Sequence, residues 1–179
     1  KYQEILSWTS LRPLYRRPTG GGLVPHDHDW TYSIAIPPGH PWYELRAPES
    51  YEKLHRWIQQ SFLSLGIEVT LVGDPITDGP GRCFIGAERH DLIWNGVKIA
   101  GAAQRRNRQG LLIQGSIQNQ PEGVVRSDWE SAGLTLGTRL WGADFTFISE
   151  STPELNELKK VAEKLYHERY SQDSFIRKR

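Results

Sequence analysis

The chain has 179 residues, of which 37% are hydrophobic and 24% are charged, and its formal net charge is +1. This length suits one domain with a sizeable core, and the composition argues against wholesale disorder. The near-neutral charge argues against nucleic acid as a partner, and no apolar run is long enough to span a membrane. The single cysteine cannot form an internal disulfide, and no signal peptide is visible, so we expect a cytoplasmic protein.

The first half of the chain predicts a strand followed by a long helix. Residues 31–36, Thr-Tyr-Ser-Ile-Ala-Ile, are rich in strand formers and end at two prolines. From Pro48 onward, apolar residues recur at helical spacing as far as Leu65. Gly66 follows as a natural stop for this helix.

The next segment brings the only cysteine to the end of a loop. Residues 67–72 alternate loosely and predict a short strand, and residues 77–82 contain Gly-Pro-Gly and predict the loop. A lone cysteine is usually a small buried hydrophobe, and this alternative stays open. The position of Cys83 after such a loop and beside Arg82 favours the reactive thiolate, because a positive neighbour stabilises it. We therefore interpret Cys83 as a candidate nucleophile.

Two successive hairpins give the clearest prediction of tertiary structure. The Asn-Gly pair at 95–96 lies between the runs 91–94 and 97–100, and both residues tolerate the positive φ of a tight hairpin turn. A second turn at 105–109 leads into a further run at 110–117. We predict three adjacent antiparallel strands.

The last third of the chain predicts helices. Residues 127–132 favour a short helix, whereas the final helix has a complete start signal in Thr152 as cap, Pro153 in the first turn and Glu154 at the positive end. An apolar stripe then runs along it. Its members are Leu155, Leu158, Val161, Ala162 and Leu165. Helices mixed with antiparallel hairpins indicate an α+β fold, with a mixed or antiparallel sheet flanked by helices.

A glycine-rich segment near the N-terminus predicts a ligand-binding loop. Three consecutive glycines let backbone pass close to a ligand, although alone they are equally typical of a flexible turn. The arginines before them and the His-Asp pair after them favour the binding loop. The candidate contacts are Arg17, Gly20, Gly21, Gly22, His26 and Asp27. His26 and His28 would share one face of a strand and could bind zinc, but further ligands are not obvious, so we expect no metal site.

Lys98 lies on the predicted strand at 97–100, where a lysine is by default an edge or surface residue. The next three residues are small and weak strand formers, as expected where a ligand or a second backbone comes close. They are Gly101, Ala102 and Ala103. Together, Cys83 and Lys98 supply a nucleophile and a cation that could hold it ionised or contact a carbonyl, which are the groups that acyl transfer requires.

The segments at 16–33 and 96–104 resemble the two signature motifs of the biotin/lipoate protein ligase and octanoyltransferase superfamily. The first reads Arg-Arg-Pro-Thr-Gly-Gly-Gly with His-Asp and Thr-Tyr-Ser downstream, and the second reads Gly-Val-Lys-Ile-Ala-Gly-Ala-Ala-Gln. The resemblance implies the mixed α/β catalytic fold of that superfamily over one domain at 1–179. It adds Ser33 and Gly115 to the candidate substrate contacts. Family members carry a further strand and helix before the first motif, so we expect N-terminal elements to be missing here.

Within this superfamily the cysteine separates two activities. The ligases activate the acid with ATP and need no cysteine, whereas the octanoyltransferases take octanoate from acyl carrier protein through a cysteine thioester. One octanoyltransferase branch carries its cysteine shortly before the lysine motif, where Cys83 stands. The resemblance therefore implies Cys83 as nucleophile, Lys98 as the residue that positions the acyl carbonyl, and no cofactor. The implied acceptor is a lysine of a lipoyl domain or of the glycine-cleavage carrier protein.

Two other functions stay open. The run Arg-His-Asp-Leu at 89–92 resembles the Arg-Asn-Asp-Ile of the lipoate ligases; in an ATP-dependent ligase Cys83 would be incidental. The chain could also be a non-catalytic module that holds a lipoyl domain or a fatty acid. Activity without ATP separates the transferase from the ligase, and the absence of any acyl adduct or turnover would favour the binding module.

Overall fold

The computed structural model describes residues 2–75 and 86–177. The chain divides into two units, a larger one at Thr19–Ala143 and a smaller one that combines Lys1–Pro18 with Asp144–Arg179.

The larger unit is built on a five-stranded antiparallel sheet. Its strands are β1 (Trp30–Ile36), β2 (Thr70–Leu71), β3 (Leu92–Trp94), β4 (Val97–Asn107) and β5 (Gly110–Ile117). They lie in the order β1-β5-β4-β3-β2, and every neighbouring pair is antiparallel. This confirms the strand predicted at 31–36 and the three adjacent antiparallel strands.

The two hairpin turns around β4 depend on residues with positive φ. Asn95 and Gly96 have φ values of 49° and 77°, which confirms the tight turn predicted there. The second turn is shorter than the predicted 105–109, because β4 keeps its pairing with β5 as far as Asn107 opposite Gly110. Gly110 has a φ of 145°, and a Cβ there would lie 2.5 Å from the carbonyl oxygen of Ile36.

The strand predicted at 67–72 is reduced to the two residues of β2. The preceding backbone is engaged with a helix instead: Ile67 donates its N–H to Phe62, and the carbonyl oxygen of Val69 accepts from the Gln59 side chain. These bonds leave only Thr70 and Leu71 to pair with β3.

Helices of the larger unit pack against one face of the sheet. They are α2 (Pro41–Glu44), α3 (Ala47–Ser64) and α4 (Arg126–Trp141). The predicted long helix is confirmed as α3, and Gly66 follows it with a φ of 79°. Its buried side chains Leu54, Ile58 and Phe62 form a single cluster with apolar residues of β3, β4 and β5. Burial of this apolar surface is the main force that holds α3 to the sheet.

The helix predicted at 127–132 extends through α4 to Trp141. Its second half contains Gly133 and Gly137, which are poor helix formers and weaken the helical pattern in the sequence. In the structure these glycines are buried, and the carbonyl of Gly133 accepts the indole N–H of Trp57 at 2.8 Å. Packing on α3 therefore extends a helix that propensity alone would end early.

Strand alternation gives the sheet two faces with different surroundings. Ile113 and Ile117 belong to the core that includes α3, so Gly115 between them points the same way; we call this side the helix face. Ser116 and Gln114 point to the opposite side. Their partners on β4 are Gly101 and Ala103, and these four residues define what we call the motif face.

The smaller unit contains α1 (Tyr2–Trp8), α5 (Pro153–Leu165), a π-helical turn (Tyr166–Tyr170) and α6 (Asp173–Ile176). The predicted final helix is confirmed as α5. Thr152 is its N-cap residue, but its hydroxyl accepts the N–H of Ser149 at 2.9 Å and makes no cap hydrogen bond to the helix. The apolar stripe is not buried within this unit, since Leu158 and Val161 are each 54% exposed. No helix among the described residues is long and apolar enough to cross a membrane.

Candidate active site

Lys98 forms a buried ion pair with Asp91. Lys98 Nζ lies 2.7 Å from Asp91 Oδ2, and the two side chains are only 9% and 8% exposed. The same carboxylate oxygen accepts the N–H of Glu88 at 2.7 Å, and Lys98 Nζ donates to the carbonyl oxygen of Gly86 at 3.4 Å. Burial raises the pKa of Asp91, and the nearby ammonium opposes this shift. Lys98 is therefore a cation held in one position, unlike the default surface lysine of a strand.

Gly101 makes room for this ion pair. A Cβ at position 101 would lie 2.9 Å from Lys98 Cε and 3.1 Å from Asp91 Oδ1. The first distance is shorter than real Cβ contacts and the second is tighter than most, so a side chain at 101 would push the end of the Lys98 side chain aside and crowd the Asp91 carboxylate. The sequence predicted a small residue here where a ligand or a second backbone comes close, and in the structure glycine lets the ion pair keep its geometry.

A second polar cluster lies one strand away on the motif face. Ser116 stands opposite Gly101 in the register of β4 and β5, and its hydroxyl donates to Asp29 Oδ2 at 2.5 Å. His26 Nδ1 lies 2.7 Å from the same oxygen. The Asp29 side chain is 6% exposed, whereas that of His26 is 55% exposed. Because neighbouring strands are about 4.8 Å apart, this cluster and the Lys98–Asp91 pair are close neighbours.

Sequence reasoning missed Asp29. It assumed strand alternation for residues 26–29, but β1 begins only at Trp30. His26 therefore binds Asp29, three residues on, while Asp27 lies 3.6 Å from the exposed His28. The His-x-x-Asp spacing is the only signal that could have suggested this pair. Across residues 2–75 and 86–177, no three His, Cys, Asp or Glu side chains are grouped as metal ligands.

Both ends of the glycine segment are held by hydrogen bonds. The start is bound to a residue of β5, and the end is bound to the residue that follows β5. The hydroxyl of Thr19 donates to Gln114 Oε1 at 3.2 Å, and the carbonyl oxygen of Pro25 accepts from Gln118 Nε2 at 2.7 Å. Between these anchors, a Cβ at Gly20 would meet nothing within 4 Å, and Gly21 has a φ of 95°. The segment therefore combines fixed ends with an open, exposed centre, as a ligand-binding loop requires.

The structure brings several predicted site residues together and separates others. The motif face and its surroundings contain Lys98, Gly101, Ala103, Ser33, His26 and the glycines at 20–22. Ala102 and Gly115 lie on the helix face, where a Cβ at Gly115 would be 2.1 Å from Cζ of Tyr32. The ring of Tyr32 leaves no room for a side chain at 115, and this close packing explains the glycine without any ligand contact. Arg17 belongs to the smaller unit, and Cys83 lies outside the described residues, so their roles stay predictions.

A buried histidine supports the turn that carries Asp91. His55 on α3 is 1% exposed; its Nδ1 hydrogen-bonds the carbonyl oxygen of His90, and its Nε2 lies 3.3 Å from the hydroxyl of Tyr32. Since a carbonyl can only accept, Nδ1 carries the proton and Nε2 accepts from Tyr32. His90 has a φ of 73°, which is unusual for a residue other than glycine. His55 thus holds an uncommon turn whose next residue faces Lys98.

A pocket of about 320 Å³ opens beside this histidine. It lies between the start of α3 and the turn before β3. Its lining residues are Pro48, Tyr51, His55, Glu88, Arg89, His90, Asp91 and Ala102. The segment at 89–92, which resembles the lipoate ligases, therefore contributes both to a pocket wall and to the ion pair.

Comparison with known proteins gives related sequences and a related fold. The model of the lipoyl protein ligase A/B catalytic domain matches residues 2–123. The octanoyltransferase LipM of Oceanobacillus iheyensis is 39% identical over 105 residues, which are 58% of this chain and 38% of that protein. The LipM of Bacillus subtilis is 33% identical over 111 residues, 57% of this chain and 40% of that protein. The match thus spans about two-fifths of the length of these curated relatives.

Solved structures agree on the fold. Lipoate-protein ligase A bound with ATP has a TM-score of 0.69 at 17% identity, covering 98% of this chain and 74% of that one. The bipartite lipoate protein ligase of Thermoplasma acidophilum has a TM-score of 0.63 at 18% identity, covering 90% and 69%. At these identities the likeness concerns the fold alone, and it confirms the predicted α+β class.

Lowering the pH should destabilise the protein through His55. Burial lowers the pKa of His55 from 6.5 to about 4, so its folded-state value is below its unfolded value. The stabilising contribution is complete above pH 6.5 and is lost as the pH falls toward 4, because the unfolded chain binds the proton first. We expect a loss of up to about 3 kcal/mol in the free energy of unfolding across that range, measured by urea denaturation. His55→Gln should flatten this slope, while His28→Gln, at an exposed site, should leave it unchanged.

Removing Lys98 alone should unfold the site as well as disable it. Lys98→Met leaves the carboxylate of Asp91 buried without its cation, which typically destabilises a protein by about 3–5 kcal/mol. The double variant Lys98→Met/Asp91→Asn removes both charges and keeps an acceptor oxygen for the Glu88 N–H. We expect it to recover most of the thermal stability. Equal stability of the single and double variants would mean that the ion pair is not buried as described.

Proposed function

The chain belongs to the lipoyl protein ligase A/B catalytic domain family, whose model matches more than half of it, and from that premise we propose that it is an octanoyltransferase. The resemblance carried by its two sequence motifs is thereby confirmed. The observation that supports transfer over ligation is the relationship to octanoyltransferases LipM at 33–39% identity, together with the single cysteine near the lysine motif.

The proposed reaction has two half-reactions. First, the thiolate of Cys83 attacks the carbonyl carbon of octanoyl-acyl carrier protein; a new C–S bond forms, the old one breaks, and the carrier thiol leaves with a proton. A lysine of a lipoyl domain, or of the glycine-cleavage carrier protein, then attacks the octanoyl-enzyme. A C–N bond forms and the thiol of Cys83 is regenerated. No cofactor enters this scheme, and the cysteine must stay reduced, which supports a cytoplasmic location.

Lys98 is suited to stabilise the oxyanion that forms in both half-reactions. Its ammonium is fixed by Asp91 and Gly86 before any substrate arrives, so it need not reorganise when charge develops on the carbonyl oxygen. The low exposure of the pair strengthens its electrostatic effect. Loss of one such preorganised donor typically lowers kcat by about 100- to 1,000-fold.

An ATP-dependent lipoate ligase is the second candidate. It is favoured by the ligase-like segment at 89–92, which supplies Asp91 to the ion pair. In that case Lys98 would contact an acyl-adenylate, and Cys83 would be dispensable. For either reaction a lipoyl domain is a suitable acceptor, since the Thermoplasma acidophilum ligase was studied together with its E2 lipoyl domain.

The deciding experiment is incubation with octanoyl-acyl carrier protein in the absence of nucleotide, followed by intact-mass analysis. We expect one octanoyl group on Cys83, removable by hydroxylamine as a thioester is. Cys83→Ser should form no such adduct and should lose turnover, because an unassisted hydroxyl is a far weaker nucleophile than a thiolate.

The double variant Lys98→Met/Asp91→Asn serves as a folded control that should acquire the adduct much more slowly. Full ATP-dependent lipoylation by Cys83→Ser would contradict the transferase and support the ligase.

A further inference from the structure

Polar side chains at every second position of β5 and its continuation bind the segment at 19–29, which contains the three glycines. We call these four residues the β5 ladder. They are Gln114, Ser116, Gln118 and Gln120. Strand alternation explains the first three, because every second residue of a strand lies on one face, and the backbone N–H of Gln118 still donates to Ile99 of β4 at 2.7 Å.

The first two members of the ladder bind the two ends of the segment through side chains. Gln114 Oε1 accepts the hydroxyl of Thr19 at 3.2 Å, and the hydroxyl of Ser116 donates to Asp29 Oδ2 at 2.5 Å. The path of the chain between these two points is therefore closed on itself against β5.

The two glutamines beyond the strand bind the backbone of the segment instead. Gln118 Nε2 donates to the carbonyl oxygen of Pro25 at 2.7 Å. Gln120 Nε2 donates to the carbonyl oxygens of His28 and Ile117, each at 2.9 Å, so it joins the segment to the end of β5. Because the acceptors are main-chain atoms, these bonds fix the path of the backbone itself.

Such bonds are needed because the segment has little regular structure. Leu23 forms an isolated β-bridge, and the other residues at 19–29, all of them described, lie in neither helix nor strand. Glycine loses more conformational freedom on ordering than any other residue, and three of them stand in a row here. Gly21, with its φ of 95°, has a conformation that the backbone does not favour for most residues. The order of the glycines therefore depends on the bonds that hold their flanks.

A loop that is ordered before its ligand arrives binds that ligand more tightly. The free energy of ordering is then not subtracted from the binding free energy, and the fraction of protein that is competent to bind is larger. This effect changes affinity and leaves the bond-making step unchanged. Gln118 and Gln120 are suited to it, since both amides are engaged with the loop backbone at Pro25 and His28 rather than at the exposed glycines.

We propose that Gln118 and Gln120 are positioning residues that hold the glycine segment in the geometry in which it binds the acyl donor. The proposal rests on the proposed function for the identity of that donor, the thioester of octanoyl-acyl carrier protein. The two amides act through the loop and take no part in bond making. Their loss raises the donor concentration that half-saturates the protein and leaves the maximal rate of acylation nearly unchanged.

The first test measures enzyme acylation by mass spectrometry in single turnovers at increasing concentrations of octanoyl-acyl carrier protein. Gln118→Met and Gln120→Met remove each donor with little change of shape. We expect each variant to raise the half-saturating concentration about two- to fivefold, the usual net effect of one hydrogen bond, and the double variant to raise it roughly tenfold. A higher half-saturating concentration at an unchanged maximal rate is the signature of lost binding.

Gln59→Met is the matched control, because it loses the same kind of bond outside the segment. Gln59 Nε2 donates to the carbonyl oxygen of Val69 at 2.8 Å. Its thermal stability should fall by about as much as that of either single variant, while its half-saturating concentration stays at the wild-type value.

The second test needs no substrate. Backbone order parameters of the three glycine amides are measured by NMR in the wild-type protein and in the double variant Gln118→Met/Gln120→Met. We expect values near about 0.85 in the wild type, as in ordered backbone, and below about 0.6 in the double variant, as in flexible backbone. The values along α3 should be the same in both proteins.

Three results would overturn the role of the two glutamines. They are a wild-type half-saturating concentration in the double variant, an equal rise in Gln59→Met, and glycine order parameters that do not differ between wild type and double variant. A different result, the absence of any octanoyl adduct on the wild-type protein, would contradict the proposed transferase and not the ladder. The half-saturating concentration would then be measured for lipoate in the presence of ATP, with the same expectation for every variant.

Discussion

The buried ion pair between Lys98 and Asp91 constrains the rest of the site. Two opposite charges taken out of water are stable only with close geometry and further hydrogen bonds, and here Glu88 and Gly86 supply these from one short segment. A side chain at position 101 would push the end of Lys98 aside and crowd Asp91, so the glycine there preserves the geometry of the pair. His55 then supports the turn that presents Asp91, from the other side of the sheet. The residues of the lysine motif therefore stabilise the local structure, independently of any role in catalysis.

The two faces of the sheet carry different groups: one holds the apolar core, and the other carries the polar candidate site. The helix face holds the apolar core and the Tyr32–His55–His90 hydrogen bonds, while the motif face carries both polar clusters and the anchored glycine segment. Transferase and ligase would both use this arrangement, since each must position an acyl carbonyl and admit an amine. What separates the two activities is the source of the activated acyl group, and in the proposed transferase that source is a thioester on Cys83.

Local patterns predicted much of the fold, and long-range contacts account for what they missed. The Asn-Gly turn and the apolar spacing of α3 are encoded within a few residues, so both were predictable. The partners of His26 and Lys98 were not, because Asp29 and Asp91 acquire their roles from a bend before β1 and from an irregular register between β3 and β4. Likewise, the family resemblance added Gly115 to the candidate substrate contacts, but the ring of Tyr32 on a neighbouring strand lies where a side chain at 115 would be.

In the proposed reaction, acyl transfer proceeds through a thioester on Cys83. The most direct measurement is a chase of isolated octanoyl-enzyme with a lipoyl domain in the absence of nucleotide. If the thioester is the intermediate, the octanoyl group moves to the domain at least as fast as steady-state turnover, and a large excess of free octanoate does not dilute it. An adduct that stays on the enzyme, while the domain is modified only when ATP is added, would contradict transfer through the thioester.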